Sequence, residues 1–312
     1  MLRGIVIYMN RFKVIMSGII KSIIFGIGFL MTAKSIEQIP VVDFLALRFL
    51  VAAICFEILR LTVLKFKLNI KDIIRLLPMA LCIPIGYYTF EAIGLQGASS
   101  MSAGIIISFV PALTFIFEII FLKESCSLKR GGFILLSVLG VLLIAYMSGG
   151  SDKQNTLWGI GFLLLASSME ALYAITSKKA SKQLGAPERT YAMMWVGAVV
   201  FNAVNIVKKL ITGTIDTYFA PLFDVSSLIC ILYMGIVPLI IAFFLYNYML
   251  EREKTSVVTI YIGLETVVSV IAGVLFNSET LYLYHIIGTI LIFAGIIGVN
   301  KLEINAQKGR IQ

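Results

Sequence analysis

Leu122-Lys123-Glu124 closes one long apolar run, with Gly140 sixteen residues on; Asn277-Ser278-Glu279 closes another, with Gly295 again sixteen residues on. The two copies stand 155 residues apart, and five apolar segments lie between them. Five is odd, so a segment and its counterpart cross a bilayer in opposite directions. That is the pattern of an inverted-topology repeat, the device by which many secondary transporters build a central site able to face either side.

Composition points the same way. Hydrophobic residues make up 59% of the 312, charged residues 14%, and the mean hydropathy is +0.97. A soluble core cannot hide that much apolar surface, so lipid must cover much of it. A spanning helix needs roughly 20 mainly apolar residues. Ten runs qualify, at about 12–34, 43–64, 73–94, 99–122, 131–148, 157–178, 190–210, 226–249, 255–276 and 281–300. They do not alternate at period two, which argues for helices over barrel strands. The expected fold is an all-α membrane protein of ten transmembrane helices, arranged as two inverted five-helix repeats, 1–150 and 151–312.

The net charge of +9 would suit a polyanion partner, but its distribution argues against nucleic acid. With the N-terminus placed in the cytoplasm, 20 of the 26 Lys and Arg fall on cytoplasmic segments. This is the positive-inside asymmetry. It predicts a multi-pass protein of the inner (plasma) membrane with both termini cytoplasmic. Arg11 and Lys13 interrupt the first apolar stretch, which therefore reads as a retained helix and not a cleaved signal. Cys55, Cys82, Cys126 and Cys230 show neither metal-ligand nor paired spacing, so they read as packers, and no metal or other cofactor is expected. His285, the only histidine, has no serine or cysteine nucleophile beside it and reads as an interfacial polar group; the protein is not expected to be an enzyme. Gly26-Ile27-Gly28 and Gly295-Ile296-Ile297-Gly298 suit close helix packing; no P-loop is present.

Several motifs in order resemble the drug/metabolite transporter superfamily, in its EamA-type ten-helix branch. Leu47-Arg48-Phe49-Leu50-Val51-Ala52-Ala53 is similar to that family's second-helix pattern. Ile85-Gly86-Tyr87-Tyr88, Ala92 and Gly97-Ala98-Ser99-Ser100-Met101-Ser102-Ala103 resemble its third-to-fourth junction. Pro111, Glu124, Gly132 and Gly140 match its ending, and Glu279, Gly288 and Gly295 repeat it, while Glu265-Thr266 stands where the family usually has proline. The resemblance implies a central cavity lined chiefly by helices three, four, eight and nine. It places the fifth and tenth at the periphery or in a contact of a homodimer. It implies carriage of a small-molecule substrate, an amino acid or other metabolite, a drug or a nucleotide sugar, often outward.

Ionisable groups deep in a span are costly and mark candidate sites. Glu57 stands three residues before Arg60 and is expected to pair with it. Lys21 is expected to extend toward headgroups, Arg48 to pack or neutralise an acid, and Glu124 and Glu279 to cap or pair at helix ends. Glu118, near a helix end, reads the same way. Glu170 and Glu265 lie mid-run, out of reach of either interface, and Glu91 lies shallower. A buried carboxylate without a partner favours its neutral form, so such a group can take a proton from one side and release it to the other. Glu265, with Glu170 second, is the expected proton-coupling group. Tyr87, Tyr88, Glu91, Tyr246, Asn247, Tyr261 and Glu265 are the expected substrate contacts, since aromatic walls with few polar groups suit a small amphipathic ligand. Trp195, Tyr282 and Tyr284 belong to interfacial belts on this reading. The sequence thus points to a proton-coupled exporter of an amino acid or related metabolite, with a drug or toxic-compound efflux carrier or a passive facilitator as alternatives.

Overall fold

The computed structural model describes residues 2–122, 128–151, 156–253, 255–259 and 261–308, so Lys123, Glu124 and Cys126 lie outside it; so does the side chain of Glu118. Every regular element among the described residues is helical. The first half holds α1 (Leu2–Gln38), α2 (Val41–Leu59), α3 (Ile70–Ala80), α4 (Tyr87–Gly94), α5 (Ser100–Ile107), α6 (Val110–Leu122) and α7 (Leu128–Ser151). The second holds α8 (Leu157–Ala180), α9 (Ala186–Thr212), α10 (Val225–Ile236), α11 (Phe243–Arg252), α12 (Thr255–Thr259), α13 (Ile262–Asn277) and α14 (Leu283–Lys308). Each of the ten apolar runs corresponds to one helix or to one broken helix.

Six helical stretches among the described residues are long and apolar enough to cross a membrane unaided: Phe12–Gln38, Ile70–Gly94, Ser100–Phe117, Leu157–Ala180, Ala186–Thr212 and Val225–Arg252. Gly131–Ile144, Ile262–Asn277 and Leu283–Gly295 are shorter apolar helices. The second span, α2, is 19 residues long and carries Asp43, Arg48 and Glu57. Three ionisable groups in one span require partners inside the bundle.

The two-fold relation is written into the packing of α7 on α14. A methyl group on Gly140 would stand 2.7 Å from the Gly288 carbonyl oxygen, and one on Gly295 would stand 2.5 Å from that of Phe133. Moving each residue of the first contact by 155 positions generates the second. Ser137 Oγ donates to the carbonyl of Ile292, its own counterpart, at 3.1 Å. Without side chains at these crossings the two backbones approach closely, which is how small residues hold helices together in lipid. The glycine pattern that opened the sequence therefore marks the seam between the fifth and tenth spans. Gly26 likewise lets α1 lie against Val268 and the Glu265 carbonyl of α13, whereas Gly28 faces open space.

The third, fourth, eighth and ninth spans are all interrupted, in counterpart pairs. A π-helical turn at Leu81–Gly86, holding Pro84, separates α3 from α4; another at Val237–Ala242, holding Pro238, separates α10 from α11. Proline removes an amide donor and clashes with the preceding turn, which accounts for both breaks. Ile83, with φ −133° and ψ 122°, leaves the helical region altogether. The fourth span breaks between α5 and α6 just ahead of Pro111, and the ninth between α12 and α13.

Candidate functional site

Broken helices free backbone carbonyls, which in an apolar setting must find donors. Ser22 Oγ of α1 donates to the Tyr261 carbonyl at 2.7 Å, and Ser167 Oγ of α8 to the Ile106 carbonyl at 3.4 Å. Tyr261 and Ile106 are counterparts, so the first helix of each half supports the broken helix of the other. Thr266 Oγ1 donates to the Gly104 carbonyl at 2.9 Å, and Ser269 Oγ to that of Ser100 at 2.8 Å, tying α13 to α5. Discontinuous spans meeting between two inverted repeats are where transporters place ligand sites.

At that meeting point sits a cluster of buried charge. Lys21 of α1 and Glu265 of α13 form an ion pair, with side chains 0% and 3% exposed. Lys21 therefore turns inward instead of extending toward headgroups. Its ammonium also lies 4.2 Å from the ring centre of Tyr246 and 5.4 Å from that of Phe25. Glu170 of α8 is buried beside them and interacts electrostatically with Glu265, Lys21 and Glu91. One cation thus faces more than one carboxylate across three helices.

Toward the end where α1 finishes, α2 and α4 add a second group. The Arg48 guanidinium is fully buried, 4.2 Å from the Tyr88 ring centre, 4.7 Å from Phe44 and 5.7 Å from Phe49. Among the described residues its Nε, Nη1 and Nη2 have no hydrogen-bond partner. Among the described residues no acid pairs with it directly, and Glu91 acts on it through space. Glu91 is itself buried, and its Oε2 also lacks a partner. Tyr87 and Tyr88 meet edge to face at 5.1 Å.

The end where α8 finishes is sealed by a polar knot. Asn247 Oδ1 accepts from Tyr173 Oη at 2.7 Å, Ser177 Oγ at 2.8 Å and Arg189 Nη1 at 3.2 Å, while its Nδ2 donates to Thr190 Oγ1 at 3.0 Å. Arg189, fully buried at the start of α9, donates to the carbonyls of Ser177 at 3.1 Å and Asn247 at 2.8 Å. Lys178 Nζ reaches the Leu250 and Glu253 carbonyls, both at 2.7 Å. Glu57 and Arg60 form the expected pair here, at 2.9 Å from Nε to Oε2.

The opposite end opens into two cavities. One, of about 590 Å³, is lined by Gln38, Asp43, Thr217 and Asp224 among others; the second, of about 440 Å³, by Glu37, Leu95, Ser100, Thr156 and Glu279 among others. Asp43 pairs with Lys209 at 3.0 Å. Asp224, outside the spans, accepts the Ser227 amide at 2.8 Å, which holds its carboxyl below the usual carboxylate range. Glu279 receives the amides of Ser100 at 3.1 Å and Met101 at 2.8 Å, so it caps the start of α5 across the bundle.

Of the residues singled out from sequence, Glu265, Glu170, Glu91, Tyr87, Tyr88 and Tyr246 come together in the buried centre. Asn247 is the hub of the sealed end. Tyr261 is half-buried with its ring over Gly18, and it shares with Glu265 the face of the ninth span turned to α1. His285, at the start of α14, is buried and not a surface group; its Nδ1 accepts the Tyr282 amide at 3.3 Å, and its ring lies 4.2 Å from that of Tyr284. Tyr284 is likewise buried, while Trp195 is 37% exposed. Arg189 reads by residue type like its solvated basic neighbours. Its one distinguishing signal is the position two residues after Pro187, inside the first turn of a helix. Among the described residues no group of His, Cys, Asp and Glu is arranged to hold a metal ion.

Comparison with known proteins gives a consistent result. The model of the EamA-like transporter family matches twice, over residues 12–146 and 157–301. The uncharacterized transporter YcxC of Bacillus subtilis is 33% identical, with 94% of this chain and 93% of that protein aligned. An uncharacterized transporter of Archaeoglobus fulgidus is 23% identical over 87% of this chain and 92% of its own. A solved crystal structure superposes with a TM-score of 0.61 at 17% identity, covering 92% of this chain and 96% of its own, which speaks to the fold.

Proposed function

The chain belongs to the EamA-like transporter family, and on that premise we propose that it is a secondary active carrier exporting a small organic metabolite, an amino acid or a related compound, coupled to protons. The observation that carries the coupling is the Lys21–Glu265 pair with Glu170 in electrostatic reach, set among four broken helices. A proton arriving on Glu265 cancels the attraction that holds Lys21, and Glu170 then offers the ammonium an alternative counter-charge. A substrate ammonium competes for the same carboxylates, so the two fluxes exclude each other at one site. A carrier needs that mutual exclusion to couple them.

In this reading repeats 1–150 and 151–312 flank the cluster, and the positive-inside asymmetry puts both termini and the polar knot in the cytoplasm. The two cavities then face outward, and the knot is the closed cytoplasmic gate. A single cysteine at position 151 in a cysteine-free background is expected to react with an impermeant reagent from outside, and one at 312 only after permeabilisation. Equal reactivity of the two would reverse or break this topology.

Coupling is tested in proteoliposomes screened with a metabolite library under an imposed pH gradient. Accumulation above equilibrium is expected, collapsing to the passive level with a protonophore. Identical flux with and without the gradient would make the protein a passive facilitator. Preference for hydrophobic cations over metabolites would make it a drug efflux carrier.

A further inference from the structure

Arg48 is a fully buried charge that the coupling scheme leaves unused. An unpaired buried charge is strongly destabilising, and each buried donor left without an acceptor adds to that cost. The Phe44, Tyr88 and Phe49 rings interact with its charge but supply no acceptor for its N–H groups. Glu91 presents the opposite deficit, a buried carboxylate oxygen without a donor. The two groups sense each other electrostatically, and the Glu91 carboxylate also interacts with the Tyr87 hydroxyl. Two complementary groups with opposite deficits are satisfied together by a ligand that bears both opposite charges.

Their depth fits access from the open end. Arg48 stands five residues below Asp43 on α2, about 7.5 Å along the axis, and Asp43 lines the larger cavity. Glu91 stands four residues, about 6 Å, below Leu95, which lines the smaller one. Both therefore lie roughly one turn beneath the floors of the two cavities, between them and the Lys21–Glu265 pair.

We infer that Arg48 and Glu91 are the two poles of an entry subsite for a zwitterionic substrate, the guanidinium taking a carboxylate and Glu91 the ammonium before that ammonium passes on to the Glu265 carboxylate. The planar fork of an arginine matches a carboxylate bidentately, which a lysine cannot reproduce. The inference rests on the carrier reading and adds a requirement to it, that the substrate bear both charges. A ligand that pairs Arg48 also relieves the cost its burial imposes on the empty protein, so binding is coupled to stabilisation of the fold.

The test uses purified full-length protein and matched probe sets: L-amino acids, their α-amides, which lack the carboxylate, and the corresponding acids lacking the amine. Thermal shift reports binding, and counterflow in proteoliposomes reports transport. The intact amino acids are expected to bind at least about tenfold more tightly than either analogue, a difference of about 1.4 kcal/mol. Arg48→Gln is expected to abolish the preference for acid over amide, and Glu91→Gln the preference for the aminated over the deaminated acid, each leaving the other preference in place. Size-exclusion profiles establish that both variants are folded, and Arg48→Lys should recover only part of the acid preference. Amides that bind as well as acids, or an Arg48→Gln variant that keeps the acid preference, would overturn the inference while leaving the carrier reading intact. So would a uniform loss for every probe, which would mark Arg48 as a partner of Glu91 in another conformation. If no solute of any class crosses faster than in protein-free vesicles, the carrier reading fails and the subsite fails with it.

Discussion

Glu265→Gln is expected to abolish accumulation driven by a pH gradient and to lower the thermal stability of the protein. The two effects have different causes and can be separated. On the proton-coupled reading proposed above, loss of accumulation follows from removing the carboxylate that would exchange the coupling proton. Loss of stability follows from Lys21, which the structure pairs with Glu265 inside the bundle. Removing one partner of a buried pair costs about 3–5 kcal/mol, because the remaining charge stays desolvated. Replacing both partners by apolar or neutral groups of similar size is often close to neutral. The double variant Lys21→Met/Glu265→Gln is therefore expected to regain most of the lost melting temperature and none of the accumulation. Gradient-dependent transport by the stable double variant would show that the proton is carried elsewhere, and Glu170→Gln would then be the variant that loses it. A single Glu265→Gln variant of normal stability would instead mean that Lys21 sheds its proton when its counter-charge is removed.

What the sequence revealed, and what it hid, follows the range over which each signal acts. Spans are read from apolar length, so the ten runs matched the helices closely. The Glu57–Arg60 pair was legible because helical periodicity relates residues three and four apart. Pro84 and Pro238 are local marks, readable in the sequence, of the breaks in the third and eighth spans. The break between α12 and α13 has no proline to announce it. Lys21 and Glu265 stand 244 residues apart, and no local rule connects them. Among the basic residues inside runs only Lys21 and Arg48 were available to the three buried acids, but a single sequence leaves the choice of partner open. The structure resolves it in an informative way: Lys21 finds an acid and Arg48 does not. His285 and Arg189 misled for one shared reason. Each lies near the end of an apolar run, where exposure is the usual outcome. Here Tyr282 and Tyr284 cover the histidine, and α8 and α11 enclose the arginine.

Arg189→Met is expected to destabilise the protein and to open its sealed end. The guanidinium joins three helices at once: from α9 it donates to Gly185 at 3.2 Å, to the Ser177 carbonyl and hydroxyl of α8 at 3.1 and 2.6 Å, and to the Asn247 carbonyl of α11 at 2.8 Å. Hydrogen bonds to a charged group contribute about 1.5–3 kcal/mol each. Relief from removing a buried charge offsets part of that, leaving an expected net loss on the order of 3–5 kcal/mol. Lysine is not a substitute, since a point charge on a flexible stem cannot serve carbonyls on two helices together; Arg189→Lys should fall between the two. The functional consequence comes from the same geometry. On the proposed reading of this end as the cytoplasmic gate, an alternating-access carrier breaks the gate in each cycle, and the Arg189 bonds across α8, α9 and α11 would break with it. Weakening them shifts the population toward a state open at this end, by about tenfold for every 1.4 kcal/mol lost from the closed state alone. A cysteine at Thr190, buried beside Asn247 in a cysteine-free background, reports the shift through its alkylation rate. That rate should rise at least about tenfold in the Arg189→Met background, well below the temperature at which the protein unfolds. A melting temperature that falls with no change in alkylation would confine Arg189 to stability, and unchanged values of both would remove it from the gate.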